Sequence, residues 1–558
     1  MKTRIDILIK GGIIFDGSGS EPFEGDIGIA GDKIAFINRN AELTGKKPEV
    51  KAVREIEARD LMVAPGFIDA HAHSEFTLFA DPRAEGKICQ GITTEINGNC
   101  GLSAAPLRGE ALKQREEDFR EFGIGERWSN FEEYFGMLER KRITLNFVTL
   151  VGHGNLRACT AGYENKKLTP SDCGKMHGLL IESIKEGAIG LSTGLIYPPG
   201  VYSDTEELIC LCKALSQNPC KIPSCPPLPR GSNNKKFTGC GIYTSHMRSE
   251  GDRLLESIGE TIGIAEESGI RVHISHIKTS GERNWHKIDG ALRAMEEARN
   301  KGLSVTCDRY PYTAASTDLD TVLPSWAYEG GMEEEIKRLN DKEVRERIGR
   351  EILREHPEKR YWQNIHISSV SSGDNRWMEG KSVAEIAHQE GTSPVDMLFK
   401  ILIDEKLRVG AIFSSMSEEN LRSFLSLQYS MIGTDSSARS GDGPTFKGKP
   451  HPRGFGSFPR FLGRYVRDGS LMSMGEAIRK ITLFAAETFR IYKRGFLKNG
   501  AFADIVIFDH KKICDRATYS EPFLKPDGIN YVIVNGSPAV WEGELTGIRA
   551  GRVLRHGR

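Results

Sequence analysis

The sequence predicts an α/β protein built on a (β/α)8 barrel, with a small β-sandwich formed by the N- and C-terminal segments. Eight short apolar runs follow one another through the middle of the chain, and stretches with helical periodicity lie between them. Both chain ends contain short alternating strands of a different kind. Strands that alternate with helices form parallel sheets, and eight such units close most naturally into a barrel.

The eight apolar runs are the predicted barrel strands, and each of them ends in polar or charged residues. Five of these ends carry a His, Cys or Asp at a place where a metal could be held. Catalytic residues of (β/α)8 barrels gather at the C-terminal ends of the strands, so a functional site is expected there. The runs span 61–73, 91–101, 144–155, 188–197, 241–250, 271–280, 303–312 and 428–437.

The stretches between these runs predict helices, because their apolar residues recur three and four positions apart and several of them end in glycine. The clearest examples are 171–187, 204–217, 251–269 and 286–302.

The two ends of the chain resemble each other. Residues 3–60 and 501–556 both contain short alternating strands with Gly and Asn turns. We therefore expect one β-sandwich beside the barrel, with its N-terminal part at 1–62, the barrel at 63–484 and the C-terminal part at 485–558.

Two segments interrupt the regular pattern. About 115 residues separate the last two barrel runs, far more than a normal connection, and predict an inserted helical segment at about 320–425. A solvated surface decoration and a lid that closes on substrate both fit this insertion. Residues 210–240 hold five cysteines and five prolines. They contain no repeated CxxC pair, which favours a surface loop with incidental thiols over a second zinc site.

Composition limits the classes of partner. The chain has 76 basic and 76 acidic side chains and no separate basic stripe, which makes nucleic acids and anionic membranes poor partners. No run approaches the ~20 apolar residues that span a bilayer, and we expect a cytoplasmic protein. The eleven cysteines lack the dense spacing of a disulfide scaffold, so most should be free thiols. The sequence leaves the oligomeric state open.

The polar strand ends supply a set of candidate metal ligands. Each residue alone has an ordinary structural explanation, such as an interior histidine, a buried thiol or a helix cap. Their joint occurrence in strand-end register favours a metal site, because zinc prefers imidazole and thiolate ligands completed by a carboxylate. The candidates are His71, His73, Cys100, His246, His276 and Asp435.

These residues also lie in motifs that resemble a known family. The motifs are PGFIDAHAH, GNCG, YTSHMRSEG, SHIK, GTDSSAR, HPRGFGSFPRFLGRY and KNGAFADIVIFD. Together they resemble the amidohydrolase superfamily, and more closely its N-acyl-D-amino-acid deacylase (D-aminoacylase) branch. The resemblance runs from about residue 5 to 555 without the Cys- and Pro-rich insert.

The resemblance implies a metal-dependent hydrolase with a division of the ligands between two metal positions. A tightly held zinc would be bound by Cys100, His246 and His276, and a second, weaker or absent metal would lie near His71, His73 and Asp435. Many relatives bridge two metals with a carboxylated lysine on the fourth strand. The run AIGLSTGLIY contains no lysine, so Cys100 is the expected substitute.

The implied reaction is hydrolysis of the amide bond of an N-acyl-D-amino acid, which gives a carboxylate and a free D-amino acid. Zinc would activate the attacking water, and Asp435 would act as general base and then general acid. The substrate is a small molecule whose α-carboxylate needs cationic and hydroxyl donors. The residues that match the family's carboxylate-binding positions are Lys278, Tyr310, Arg453, Ser316 and Tyr197, with Arg439 as an alternative to Arg453.

Other functions stay open at this point. The same site would suit a dipeptidase acting on peptides with a D residue, or a cyclic amidase of the hydantoinase or dihydroorotase type. A non-catalytic interaction protein on this fold is a third alternative, but such a protein would be expected to have lost ligands. The sequence does not define the preferred side chain or acyl group.

Overall fold

The computed structural model describes residues 4–39, 51–217 and 241–556. The described strands are β1 Ile5–Ile14, β2 Phe23–Ala30, β3 Lys33–Arg39, β4 Ala52–Glu57, β5 Met62–Pro65, β6 Phe67–Asp69, β7 Ile92–Asn97, β8 Asn146–Thr149, β9 Val151–Gly152, β10 Leu191–Gly194, β11 Ile242–His246, β12 Arg271–Ile274, β13 Val305–Arg309, β14 Ala314–Asp318, β15 Ile365–Ser369, β16 Gly410–Ser414, β17 Ser430–Ile432, β18 Ile505–Phe508, β19 Ile529–Val534, β20 Ser537–Trp541 and β21 Glu544–Leu545.

The described α-helices are α1 Thr77–Ala80, α2 Glu85–Ile88, α3 Glu110–Glu121, α4 Phe131–Lys141, α5 His153–Ala161, α6 Pro170–Glu186, α7 Thr205–Gln217, α8 Leu254–Ser268, α9 Ile288–Asn300, α10 Met332–Asn340, α11 Lys342–Glu355, α12 Val383–Gln389, α13 Pro394–Asp404, α14 Glu418–Ser426, α15 Arg453–Arg460, α16 Met474–Lys480 and α17 Leu483–Thr488. A π-helix at Phe461–Asp468 continues α15.

The central element is a closed parallel barrel. One sheet runs in the order β17-β13-β12-β11-β10-β9 and a second in the order β6-β7-β8, and only Leu150 separates β8 from β9 along the chain. The amide of Ala70 donates to the carbonyl of Ile432 over 3.2 Å, which joins β6 to β17 and closes the ring. All eight predicted barrel strands are therefore present, and the predicted (β/α)8 barrel is confirmed.

The helices predicted between the barrel runs are also present. They correspond to α6, α7, α8 and α9, and their buried residues pack into the large apolar cluster that surrounds the barrel. Helix α6 begins with a capping box in which the Thr169 side chain and Asp172 exchange hydrogen bonds with each other's backbone amides.

Both chain ends join in one nine-stranded sheet of the order β21-β20-β19-β18-β5-β1-β2-β3, with β4 paired to β1. The sheet folds over an apolar core of its own, which includes Ile9, Ile27 and Ile533. The amide of Ile34 donates to the carbonyl of Ala501 over 3.0 Å, which brings the β3 edge back to the segment before β18. This is the predicted β-sandwich formed from the two terminal segments.

The insertion between β13 and β17 has a core separate from that of the barrel, centred on residues such as Ile367, Ile386 and Leu402. It contains the predicted helices α10 to α13 and, in addition, a three-stranded antiparallel sheet of the order β14-β16-β15. Those strands are rich in Ala, Ser and Gly rather than in β-branched and aromatic residues, so their composition does not predict strands. Helix α14 packs on the barrel core instead.

Most of the Cys- and Pro-rich segment, 218–240, lies outside the described residues. The cysteines that the structure describes are all free thiols. Among the described residues, no helix combines the length and apolar character needed to cross a membrane.

Candidate metal centre and active site

The six predicted ligands converge at the C-terminal end of the barrel. They form two overlapping groups, and within each group one potential ligand atom from every residue lies within 4.8 Å of the others. The first group is Cys100, His246 and His276, and the second is His71, His73, Cys100 and Asp435. The thiol of Cys100 belongs to both groups and lies between them.

The first group has the spacing of atoms that share one ion. The Cys100 sulfur lies 3.3 Å from Nε2 of His276, which in turn lies 3.0 Å from Nδ1 of His246. Donor atoms at the usual Zn–N and Zn–S distances in a tetrahedral site lie about 3.3–3.6 Å from one another. The thiol–imidazole distance lies in this range and the imidazole–imidazole distance is slightly shorter, so one thiol and two imidazoles form a donor set that fits zinc.

The second group is built around Asp435. Its Oδ1 lies 3.2 Å from Nε2 of His73 and 3.5 Å from Nε2 of His71. Nε2 of His71 also lies 3.3 Å from the Cys100 sulfur. The second group thus offers two imidazoles, a carboxylate and the shared thiol.

The backbone at three ligands has an unusual conformation. Cys100, His276 and Asp435 all have positive φ angles, of 53°, 35° and 49°. Non-glycine residues rarely adopt this region, and it costs on the order of 1–3 kcal/mol per residue. Each of these residues follows a barrel strand, and the turn directs its side chain into the barrel mouth.

Two glycines allow the ligands to approach one another. A Cβ added at Gly194 would lie 2.3 Å from the carbonyl oxygen of Cys100, and one at Gly433 would lie 2.5 Å from Cβ of His71. No side chain fits at either position without displacing a neighbouring ligand.

Two carboxylates outside the predicted site orient the imidazoles, the buried Asp308 and the partly buried Glu250. Oδ2 of Asp308 lies 3.1 Å from Nδ1 of His71 and 2.8 Å from Nε2 of His273. Oε1 of Glu250 lies 2.8 Å from Nδ1 of His276. Hydrogen bonds of this kind fix the orientation and tautomer of a ligating histidine. Asp308 and Glu250 stand at the ends of the seventh and fifth predicted strands, which is the only signal for them in the sequence.

The environment keeps both potential anionic ligands charged. Burial alone would raise the pKa of the Cys100 thiol, but the His71 and His276 imidazoles bring it well below its usual range. Burial also opposes ionisation of Asp435, yet the guanidinium of Arg453 and nearby imidazoles hold the pKa of this carboxyl well below its usual value. Against the effect of burial, hydrogen bonds to Asp435 and Cys100 raise the pKa of His73 to about 9.

The residues predicted to bind a carboxylate lie beside Asp435. Nη1 of Arg453 is 2.8 Å from Oδ2 of Asp435, and its Nη2 donates to the carbonyl of Ser316 over 3.3 Å. The guanidinium carbon lies 4.5 Å from the centroid of the Tyr310 ring. The Tyr310 hydroxyl is buried and has no hydrogen-bond partner within the described part of the chain. Although burial opposes it, the cations Lys278, Arg309 and Arg453 lower the pKa of Tyr310.

The other two predicted residues make contacts within the site. Nζ of Lys278 lies 2.5 Å from Oε1 of Glu250 and 2.8 Å from Nδ1 of His276. The Tyr197 hydroxyl donates to the carbonyl of Cys100 over 2.6 Å. Lys278 is therefore already paired with a carboxylate, while Tyr197 braces the turn that holds the shared thiol.

Arg439, the alternative to Arg453, has different surroundings. Its Nη1 donates to the carbonyls of Thr445 and Lys447 over 3.4 and 3.2 Å. Arg453, by contrast, forms an ion pair with the candidate ligand Asp435.

Comparisons with known proteins find relatives along the whole chain. The model of the amidohydrolase family matches residues 54–197 and 321–540, which include His71, His73, Cys100 and Asp435. The chain is 33% identical to a D-aminoacylase of Alcaligenes xylosoxydans xylosoxydans, over 98% of this chain and 97% of that protein. It is 32% identical to an N-acyl-D-glutamate deacylase of the same organism, over 100% of this chain and 97% of that protein.

A solved structure covers the whole fold. The N-acyl-D-glutamate deacylase from Bordetella bronchiseptica, in complex with zinc and a phosphonate inhibitor, superposes with a TM-score of 0.78 at 29% identity. The match covers 99% of this chain and 100% of that chain. The family model spans more than half of the chain, and the relatives match it from end to end. This chain therefore belongs to the amidohydrolase family.

Proposed function

We propose that this protein is a zinc-dependent N-acyl-D-amino-acid deacylase, which hydrolyses the linear amide bond to a carboxylate and a free D-amino acid. The observation that carries the proposal is a thiol, imidazole and carboxylate cluster with an arginine and a tyrosine beside it. Curated relatives that match over the full chain include a D-aminoacylase and deacylases of N-acyl-D-glutamate and N-acyl-D-aspartate.

Zinc is the proposed metal because the donor set combines thiolate and imidazole. Cys100, His246 and His276 would hold one ion tightly, and His71, His73 and Asp435 would provide a second, weaker position. A bound zinc supplies Lewis acidity, which polarises a carbonyl group and lowers the pKa of water to about 7.

Asp435 is the proposed general base and acid. Its carboxylate is ionised, contacts both histidines of the second group and is anchored by Arg453, so it can accept a proton from the attacking water. It would then return this proton to the nitrogen of the departing amine, because amines leave only when protonated.

Arg453 and Tyr310 are the proposed anchors for the α-carboxylate of the substrate. A guanidinium binds a carboxylate through two parallel hydrogen bonds, and the acidified Tyr310 hydroxyl has no competing partner among the described residues. Lys278 adds positive charge from its position beside His276. Ser316 and Tyr197 form part of the wall of the proposed substrate pocket. With the amide and the carboxylate both fixed, only one configuration at the α-carbon directs the side chain into the remaining space.

The domain division belongs to the same proposal. The terminal segments 1–62 and 485–558 would form the sandwich, and the barrel at 63–484 would hold all the catalytic groups. The insertion contributes Ser316 to the site, which favours a role in enclosing substrate over a purely external position.

The test is release of free amino acid by zinc-loaded protein from matched N-acetyl-D and N-acetyl-L substrates, with apolar and acidic side chains in each pair. We expect turnover in the D series alone. The identities to the D-aminoacylase and to the N-acyl-D-glutamate deacylase are 33% and 32%, too close to favour one side chain, so both pairs are needed.

Turnover of N-acetyl-L substrates at an equal rate would contradict the proposal. Hydrolysis of D-residue dipeptides or of cyclic amides, without turnover of either acetyl series, would assign the same site to the alternative reactions.

A further inference from the structure

A buried lysine contacts the segments at the ends of the first and last barrel strands, where these two strands meet. Lys87, on helix α2, is 0% exposed, as are its two neighbouring carboxylates, Asp69 and Glu95. Nζ of Lys87 lies 2.7 Å from Oδ2 of Asp69 and 3.5 Å from Oε2 of Glu95. None of these three residues belongs to the predicted catalytic or ligand set.

The ammonium group binds both chain neighbours of Asp435, one through its side chain and the other through its backbone. It donates to Oγ1 of Thr434 over 2.7 Å and to the carbonyl of Ser436 over 2.8 Å. The residue between them is the proposed general base. Lys87 therefore fixes the path of the turn in which Asp435 adopts its positive φ.

Asp69 connects the same turn to the first strand. Its Oδ1 accepts hydrogen bonds from the amides of Thr434 and His71, over 2.8 and 3.2 Å. The Thr434 hydroxyl donates to the other oxygen of Asp69 over 2.7 Å. The ion pair of Lys87 and Asp69 thus spans the two segments that carry His71 and Asp435.

Glu95 extends the connection to the residue that follows His73. Its Oε2 accepts a hydrogen bond from the Ser74 hydroxyl over 3.0 Å, and that hydroxyl accepts one from the amide of Ala438 over 2.8 Å. One hydrogen-bond network therefore connects the chain segments that carry His71, His73 and Asp435.

Stability alone does not account for this arrangement. Removing a lysine and two carboxylates from water costs several kcal/mol per ion, and well-packed apolar side chains often replace such groups with no loss. An apolar side chain cannot donate hydrogen bonds to three acceptors in two different chain segments, as Lys87 does.

We infer that Lys87 is a positioning residue, which sets the distance and direction of the Asp435 carboxylate relative to His71 and His73. The inference rests on the proposed function of this site for its kinetic part, but not for its metal-binding part. A shift of about 1 Å in a catalytic group costs about 100-fold in rate, so a loss of Lys87 should be measurable without any direct contact to substrate.

The test compares Lys87→Met with Lys480→Met. Lys480 is also buried, at 4% exposed, and its Nζ donates to the carbonyls of Leu425 and Leu427 over 2.6 and 2.5 Å. These carbonyls precede β17, whereas Thr434 and Ser436 follow it. Both variants thus remove a buried ammonium near the same strand, at opposite ends.

We expect Lys87→Met to lower kcat by about 10- to 100-fold with little change in KM, because the carboxylate anchors are untouched. Zinc titration of the metal-free protein should show unchanged affinity of the first site and at least tenfold weaker binding at the second. Lys480→Met should leave kcat and both affinities within about twofold of the parent.

A second variant covers the case in which Lys87→Met does not fold. Thr434→Val keeps the shape of the side chain and removes the hydroxyl shared by Lys87 and Asp69, so it should show the same kinetic and metal-binding pattern with smaller amplitude. Wild-type second-site affinity and kcat in a folded Lys87→Met protein would overturn the inference, as would equal losses in Lys480→Met. If the parent does not hydrolyse N-acyl-D-amino acids, the zinc titrations still decide the inference.

Discussion

At the scale of single residues, Asp435 combines a low pKa with contacts to both histidines of the second group. We predict that Asp435→Asn lowers kcat by about 100- to 10,000-fold, the usual contribution of general acid–base catalysis. The amide cannot accept the proton of water. Steady-state kinetics with an N-acetyl-D-amino acid would measure the loss.

The same variant should retain one zinc, because Cys100, His246 and His276 remain intact. Metal analysis of the purified variant provides this control. A variant that keeps its metal and its kcat would exclude Asp435 as the general base.

Arg453 contacts both Asp435, the proposed general base, and Tyr310, the other proposed carboxylate anchor. Its replacement should therefore affect substrate binding and catalysis together. We predict that Arg453→Met raises KM for N-acetyl-D-amino acids by about 10- to 100-fold, since a charged hydrogen bond to the carboxylate is lost. For the corresponding N-acetyl-D-amino-acid amides, in which an amide group replaces the α-carboxylate, KM should change by less than about threefold.

Arg439→Met is the matched control, because Arg439 donates to two backbone carbonyls instead of pairing with Asp435. Its KM should stay within about twofold of the parent. An equal rise in KM for both variants would mean that Arg439 shares in binding the carboxylate.

The convergence of the six candidate ligands could be predicted from sequence because each lies at the end of an apolar run, where the strand register determines its position. Asp308 and Glu250 lie at equivalent positions, but a single carboxylate at a strand end has many ordinary explanations. Only the distances to His71 and His276 distinguish them. The pairing of Lys278 with Glu250 likewise depends on contacts between strands that the sequence does not show.

At the scale of secondary-structure elements, the turn after β17 must pass close to β6. We predict that Gly433→Ala weakens zinc binding at the second group by at least tenfold, because the new Cβ would lie 2.5 Å from Cβ of His71 and 3.0 Å from Oδ1 of Asp308. Titration of metal-free protein with zinc measures this effect.

Gly259→Ala on helix α8 is the control, because no atom lies within 4 Å of the added Cβ. It should leave zinc binding unchanged and stabilise the helix by up to about 1 kcal/mol. Unchanged second-site affinity in Gly433→Ala would mean that the turn can move without displacing His71.

The barrel strands and helices were predictable because burial produces long, regular patterns of apolar residues. Strands β14 to β16 were not, since they are stabilised by pairing with one another within the insertion. Pairing between segments distant in sequence leaves no periodic signal in any one of them.

At the scale of the whole molecule, the described chain contains several apolar cores, and the insertion has its own. It is linked to the barrel helices by ion pairs, such as the 3.2 Å contact between Arg408 and Asp118. A unit with a separate core can open with a free energy different from that of the barrel. Groups buried in the insertion can therefore affect its stability without changing the metal centre.

Glu335 on α10 is such a group. It is 4% exposed, and its Oε1 has no hydrogen-bond partner within the described residues. Burial, together with the charge of Asp320, raises its pKa from 4.5 to about 9. The folded protein thus keeps a proton that the unfolded chain releases above about pH 4.5, and the stability from this group is lost as pH rises towards 9.

We predict that Glu335→Gln stabilises the insertion by on the order of 2–3 kcal/mol at pH 7, because glutamine needs no proton to remain neutral. The gain should disappear near pH 4.5 and grow towards pH 9, as measured by calorimetry across this range. Glu334→Gln is the control on the same helix, since the hydrogen bond from Lys337 lowers the pKa of Glu334 and its side chain is 46% exposed. That variant should be neutral or slightly destabilising at pH 7. A gain for Glu335→Gln that does not vary with pH would show that its carboxyl is ionised in the folded protein.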